Sequence, residues 1–192
     1  TSQPIERTFS EIRSVAGSGT PADDDLPSAN AGQGIVLIGT GFDADSTVFF
    51  AGERGLIAVQ PAAVHSDKAM TVVVPSEAVT GEVSVSGDQT DSRFTLQVVP
   101  TISNVELEDR NNESFTFRVT ATGLTDPATV YRFGSVSVSD VGSNIDRGEA
   151  QTTFSRDAFG PVVVVSLGGT SAPFVVEIDP LESKAFSGAP AP

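Results

Sequence analysis

Absences narrow the reading first. The chain has no cysteine and no tryptophan, and only one histidine, one tyrosine, one methionine and two lysines among 192 residues. Without cysteine there is no disulfide framework, no thiolate zinc site and no thiol nucleophile. The single histidine, His65, sits in the polar stretch VHSDK, and no Gly-x-Ser-x-Gly elbow occurs, so a serine hydroxyl has few ways to be activated. His65 reads as a solvated loop residue. The GSGT at residues 17–20 lacks the lysine and helix of a phosphate loop and reads as flexible linker. These absences leave no catalytic or cofactor-binding constellation. No apolar run approaches the ~20 residues of a membrane-spanning helix. Residues 1–30 lack the order of a signal peptide, so a secreted form would already have lost its leader.

Positive charge is scarce as well. Fourteen aspartates and eleven glutamates face two lysines and nine arginines, for a net charge of −14. Such a surface repels phosphate backbones and anionic lipid, which excludes nucleic acid and membrane insertion as partner readings. Sugar-binding platforms depend on exposed aromatic faces, commonly tryptophan or tyrosine, so a glycan partner is an alternative rather than the leading expectation.

Valine, threonine, serine and glycine are abundant instead, and they arrange as β-structure. Strands are expected at 35–39, 47–51, 56–60, 70–74, 82–86 and 94–99, separated by Gly, Pro, Asn, Asp and Ser clusters. In EVSVSG, Val83 and Val85 point one way and Ser84 and Ser86 the other, the pattern of a strand with one wet face. Short strands at such spacing argue for an antiparallel sandwich.

The pattern then repeats. TGFDADSTVFFAG at 40–52 matches TGLTDPATVYRFG at 122–134 with an offset of 82, pairing Thr40 with Thr122, Gly41 with Gly123, Phe42 with Leu124, Thr47 with Thr129, Val48 with Val130, Phe49 with Tyr131 and Gly52 with Gly134. GEVSVSG from Gly81 matches GPVVVVS from Gly160, and RFTLQV from Arg93 matches PFVVEI from Pro173. The expected fold is all-β: two tandem immunoglobulin-like antiparallel β-sandwiches. The expected division is a tail at 1–7, a first sandwich at 8–99 with an inserted loop at 17–31, a second at 100–179, and a Pro/Ala/Gly-rich tail or linker at 180–192. In each sandwich the Gly-Phe or Gly-Leu corner is read as a structural plug, and Val85 and Val164 as inward-facing equivalents.

Residues 27–99 are similar to the IPT/TIG family of immunoglobulin-like domains. The resemblance rests on Pro27, Ser28, Gly34, Ile38, Gly39, Gly41, Phe42, Val48, Phe50, Gly52, Val74, Pro75, Val83 and Val85. The second unit keeps the corner and closing strands but has Phe154 where Pro75 sits, a degenerate copy. The resemblance implies a non-catalytic role as spacer or interaction module. Three expectations follow: a structural or adhesive module of an extracellular, bacterial surface protein or filament, with protein partners such as copies of itself; a phage tail or capsid decoration protein; or an accessory carbohydrate-binding module of a secreted enzyme. Calcium is the one metal with candidate ligands, at Asp23, Asp24 and Asp25 in PADDDLP and at Glu106, Glu108 and Asp109 in ELEDRNNE, with Asn111, Asn112 and Glu113 beside them.

Overall fold

The computed structural model describes residues 6–110, 114–125, 128–139, 149–155 and 160–176. Among them there is no helix, and the strands form four sheets. The first sandwich joins a sheet ordered β1 (Thr8–Arg13), β4 (Gly34–Thr40), β8 (Ala69–Val73), β7 (Ala63–Ser66) to one ordered β3 (Ser28–Ala29), β10 (Phe94–Val98), β9 (Gly81–Val85), β5 (Val48–Gly52), β6 (Gly55–Val59). The second joins β11 (Thr101–Arg110), β12 (Ser114–Thr122), β15 (Glu149–Ser155) to β14 (Val136–Ser139), β13 (Val130–Phe133), β16 (Val162–Ser166), β17 (Gly169–Thr170), β2 (Thr20–Pro21). Among these strands, only the β3–β10 pairing is parallel.

Alternation explains each core. In β4, Ile35 and Leu37 are buried while Val36 and Ile38 are half-buried, and β9 buries Val83 and Val85. These meet Phe9, Phe50, Met70, Val72 and Leu96 in one apolar cluster. A second cluster gathers Phe117, Tyr131, Phe133, Phe154, Val162 and Val164. Phe133 meets Phe117 edge-on at 5.2 Å between ring centroids, and Phe154 at 5.6 Å. Phe154 is thus a core residue of the second sandwich. Such ring pairs add stabilisation beyond the area they bury.

The corner behaves as read. Gly41 and Gly123 adopt φ of 72° and 71°, a region that disfavours any Cβ, and Phe42 and Leu124 are each 4% exposed. Beyond the corner the two units part from a constant offset. Ser46 Oγ accepts from Asp43 N at 3.1 Å, and Thr129 Oγ1 accepts from Thr125 N at 3.0 Å. Ser46 and Thr129 are both fully buried, so Thr129 corresponds to Ser46 and not to Thr47. The second corner is one residue longer.

Because strand side chains alternate with a period of two, that residue reverses the facing of the matched positions in the strand that follows the corner. Val48 and Phe50 point inward, and so do Tyr131 and Phe133; Val48 lies opposite Val85 and Tyr131 opposite Val164. The sequence match of Phe49 with Tyr131 therefore pairs an outward residue with an inward one. Val85 and Val164 are equivalents, 5% and 0% exposed.

Two segments differ from expectation at the first sandwich's edge. VHSDK is not wholly loop: β7 includes His65, whose Nε2 lies 2.7 Å from Thr71 Oγ1. Arg7, assigned to the N-terminal tail, is bolted to the corner by donating to Gly41 O, Ser86 O and Asp43 Oδ1. The C-terminal tail at 180–192 lies outside the described residues.

Candidate functional site: the clasp and cleft between the sandwiches

The stretch between β1 and β4 is long compared with its counterpart. Arg13 pairs with Val36, and the intervening chain makes two excursions that the β11–β12 hairpin lacks. One, β3, runs alongside β10 in the first sandwich; the other, β2, pairs antiparallel with β17 of the second, Thr20 opposite Thr170 and Pro21 opposite Gly169. One inserted segment therefore supplies an outer strand to a sheet in each sandwich. The supposed flexible linker at 17–20 is part of this clasp.

Two-residue strands are too short to hold themselves, and amide side chains do the holding. Asn30, buried, accepts from Ser18 N at 2.8 Å and donates to Ser18 O at 3.0 Å and Val99 O at 3.1 Å. Gln33 accepts from Gly17 N and Asn30 N and donates to Val15 O. Gln97, 2% exposed, accepts from Asp23 N at 2.8 Å and donates to Asp23 O at 2.6 Å and Leu26 O at 3.3 Å. Each amide imitates a strand's backbone, offering one acceptor and two donors where no strand fits.

The far side of the clasp is built on close backbone approach. Ala22 N donates to Gly168 O at 3.2 Å. A Cβ at Gly168 would run into the Val98 carbonyl and Thr80 Oγ1, and one at Gly169 into the Thr20 carbonyl and Pro21. Thr80 Oγ1 already accepts from Val98 N at 2.9 Å. The β16–β17 turn of the second sandwich is thereby seated on the end of β10 of the first.

A cleft of about 450 Å³ opens between the units. The β5–β6 turn with Leu56 and Ile57 forms one wall, residues 76–79 adjoin it, and Ser103 with residues 120–124 forms the other. Leu56 is 69% exposed.

The calcium candidates fall elsewhere and apart. Asp23, Asp24 and Asp25 are exposed on the clasp; Asp23 Oδ1 accepts from Asp25 N at 2.9 Å, which closes a local turn. Glu106, Glu108 and Asp109 lie on β11. Glu108 sits where the β11–β12 register slips, and it accepts from Gln151 Nε2 at 2.5 Å and from the Arg118 guanidinium. Those bonds hold its carboxyl below the usual range. Glu106 accepts from Asn104 at 2.8 Å. Asn111, Asn112 and Glu113 lie outside the described residues. Among the described residues, no three His, Cys, Asp or Glu side chains gather as a metal site.

Sequence reading missed the clasp because two-residue strands carry no periodicity. A trace exists in the glycine pair at 168–169, a mark of close backbone approach, but nothing in it names the partner segment.

No family model matches the chain, and no curated protein matches it. Among solved structures, the chain is similar to the surface glycan-binding protein PbSGBP-B from Prevotella bryantii, at 20% identity and a TM-score of 0.45, over 88% of this chain and 41% of that one. The chain thus spans less than half the length of that protein.

Proposed function

We propose that this chain is a non-catalytic structural or adhesive segment of an extracellular surface protein, built from two IPT/TIG-like sandwiches that act as one rigid unit. The observation that carries the reading is the β2–β17 pairing: a segment inserted in the first sandwich completes a sheet of the second. Rigid spacing is what such a joint supplies, because bending it would break the Thr20–Thr170 ladder and the Gln97–Asp23 bonds together. His65, with its Thr71 contact on an exposed edge strand, has the setting of a surface residue. The described aromatic side chains are all buried or half-buried, which speaks against stacking on sugar rings.

Small-angle scattering of the full chain tests the rigid unit. A single conformation should fit the profile, and Gly169→Val should convert it to that of a hinged pair. A profile that needs a broad ensemble for the unaltered chain would sink the reading. Labelling of intact source cells by an antibody to the chain tests the surface location, and signal only after lysis would exclude it.

A further inference from the structure

β6 is the outermost strand of its sheet, paired with β5 and with no other described strand. Edge strands are usually guarded by charge, proline, bulges or cover, since their free backbone groups invite pairing. β6 reads GLIAV, without charge or proline, and its register with β5 runs unbroken from Val48–Val59 to Gly52–Gly55. The two edges of the facing sheet differ: β1 carries Glu11 and Arg13 and a register shift against β4, and β7 has a register shift against β8.

The matching edge of the second sandwich, β14, also lacks charge and proline but reads VSVS and is the more polar of the two. Its outward cross-strand pairs are Arg132–Ser137 and Val130–Ser139. In the first sandwich the outward pairs are Ala51–Leu56 and Phe49–Ala58, so the same region is apolar and ends in the open edge.

We propose that β6 is a self-association edge, at which two copies of this chain pair their β6 strands antiparallel about Ile57 and join two five-stranded sheets into one. The register is self-complementary. Leu56 of each copy falls opposite Ala58 of the other, large against small, and Gly55 falls opposite Val59. β6 itself carries no charged residue, so no like charges face one another along the paired strands despite the net −14 of each copy. The pairing goes beyond the rigid-unit reading and does not depend on it.

Sedimentation equilibrium of the full chain over a wide concentration range, with amide exchange read at both ends, tests this. The expected result is a monomer–dimer equilibrium that tightens as salt screens the two acidic bodies, with exchange at 55–59 slowing as dimer forms. Ala58→Lys and Leu56→Glu, both at exposed positions, should each weaken the dimer about tenfold or more while the monomer melts as before. A chain monomeric at every concentration overturns the proposal while leaving the rigid-unit reading intact. So does an association indifferent to both substitutions, or protection that appears on another strand.

Discussion

Gln97 and Asp23, 74 positions apart in sequence, exchange two hydrogen bonds in the manner of paired strands: Asp23 N donates to Gln97 Oε1 and Gln97 Nε2 donates to Asp23 O. The side chain stands in for a backbone, on a residue whose own backbone is already part of β10. Gln97→Ala should cost roughly 1–3 kcal/mol, since it removes these two bonds and the one to Leu26 O from a buried position. Gln97→Glu should also destabilise, because a carboxylate cannot donate to the Asp23 and Leu26 carbonyls. Chemical denaturation checks both; a melting curve unchanged by Gln97→Ala would show that the clasp holds without it.

The seat of the β16–β17 turn leaves no room for a methyl group. Gly168→Ala should lower stability by roughly 1–3 kcal/mol through overpacking against Val98 and Thr80. The accompanying sign is faster amide exchange at Thr170 and Ala22, on the clasp. Gly32→Ala tests the contrast, because a Cβ there meets nothing within 4 Å and its only strain is a φ of 79°. It should leave exchange across the clasp unaltered.

Val85→Asp and Val164→Asp each place a carboxylate among apolar side chains, opposite Val48 and Tyr131 respectively. Each should cost ~3 kcal/mol or more. Near-ultraviolet circular dichroism should separate them, since Tyr131 belongs to the second core and its signal should collapse with Val164→Asp first. A soluble Val85→Asp variant with unchanged melting would overturn the inward register of β9.

Acid should loosen the joints between strands. The hydrogen bond from Arg7 at 2.7 Å holds the Asp43 carboxyl below its usual range, and the bond from Gln151, followed by those from Arg118, does the same for Glu108. A carboxyl whose pKa is depressed in the folded state stabilises above its unfolded value and loses that contribution as pH falls through the folded one. Melting temperature should therefore fall as pH drops through and below ~4, the ordinary carboxylate range. Asp43→Asn should flatten part of that slope; an equal slope in the variant would show that the Arg7–Asp43 pair does not contribute.

Much of the architecture was legible in the residues. Alternation in GIVLIGT and GEVSV marked strands and their inner faces, because a sheet with one wet side needs apolar residues at every second position. The Gly41–Phe42 and Gly123–Leu124 corners were legible because a positive φ selects glycine and an open sandwich end selects an apolar plug. The slip between the units was not: Ser46 and Thr129 both look like ordinary loop hydroxyls until their bonds to Asp43 N and Thr125 N show which residues correspond.

By itself, then, the sequence determined local matters: strand content, the two corners, the repeat, the acidic surface and the absence of thiol or multi-histidine chemistry. These follow from side-chain period, backbone freedom and residue type, which each segment carries alone. The tertiary structure decided what required two distant segments at once. Thr20 found Thr170, Gln97 closed on Asp23, Arg7 reached the corner, and Glu108 was taken by Arg118 and Gln151 rather than left free. Hydrogen bonds of this kind are worth little until packing has brought both partners out of water together, so neither partner's neighbours in sequence record them.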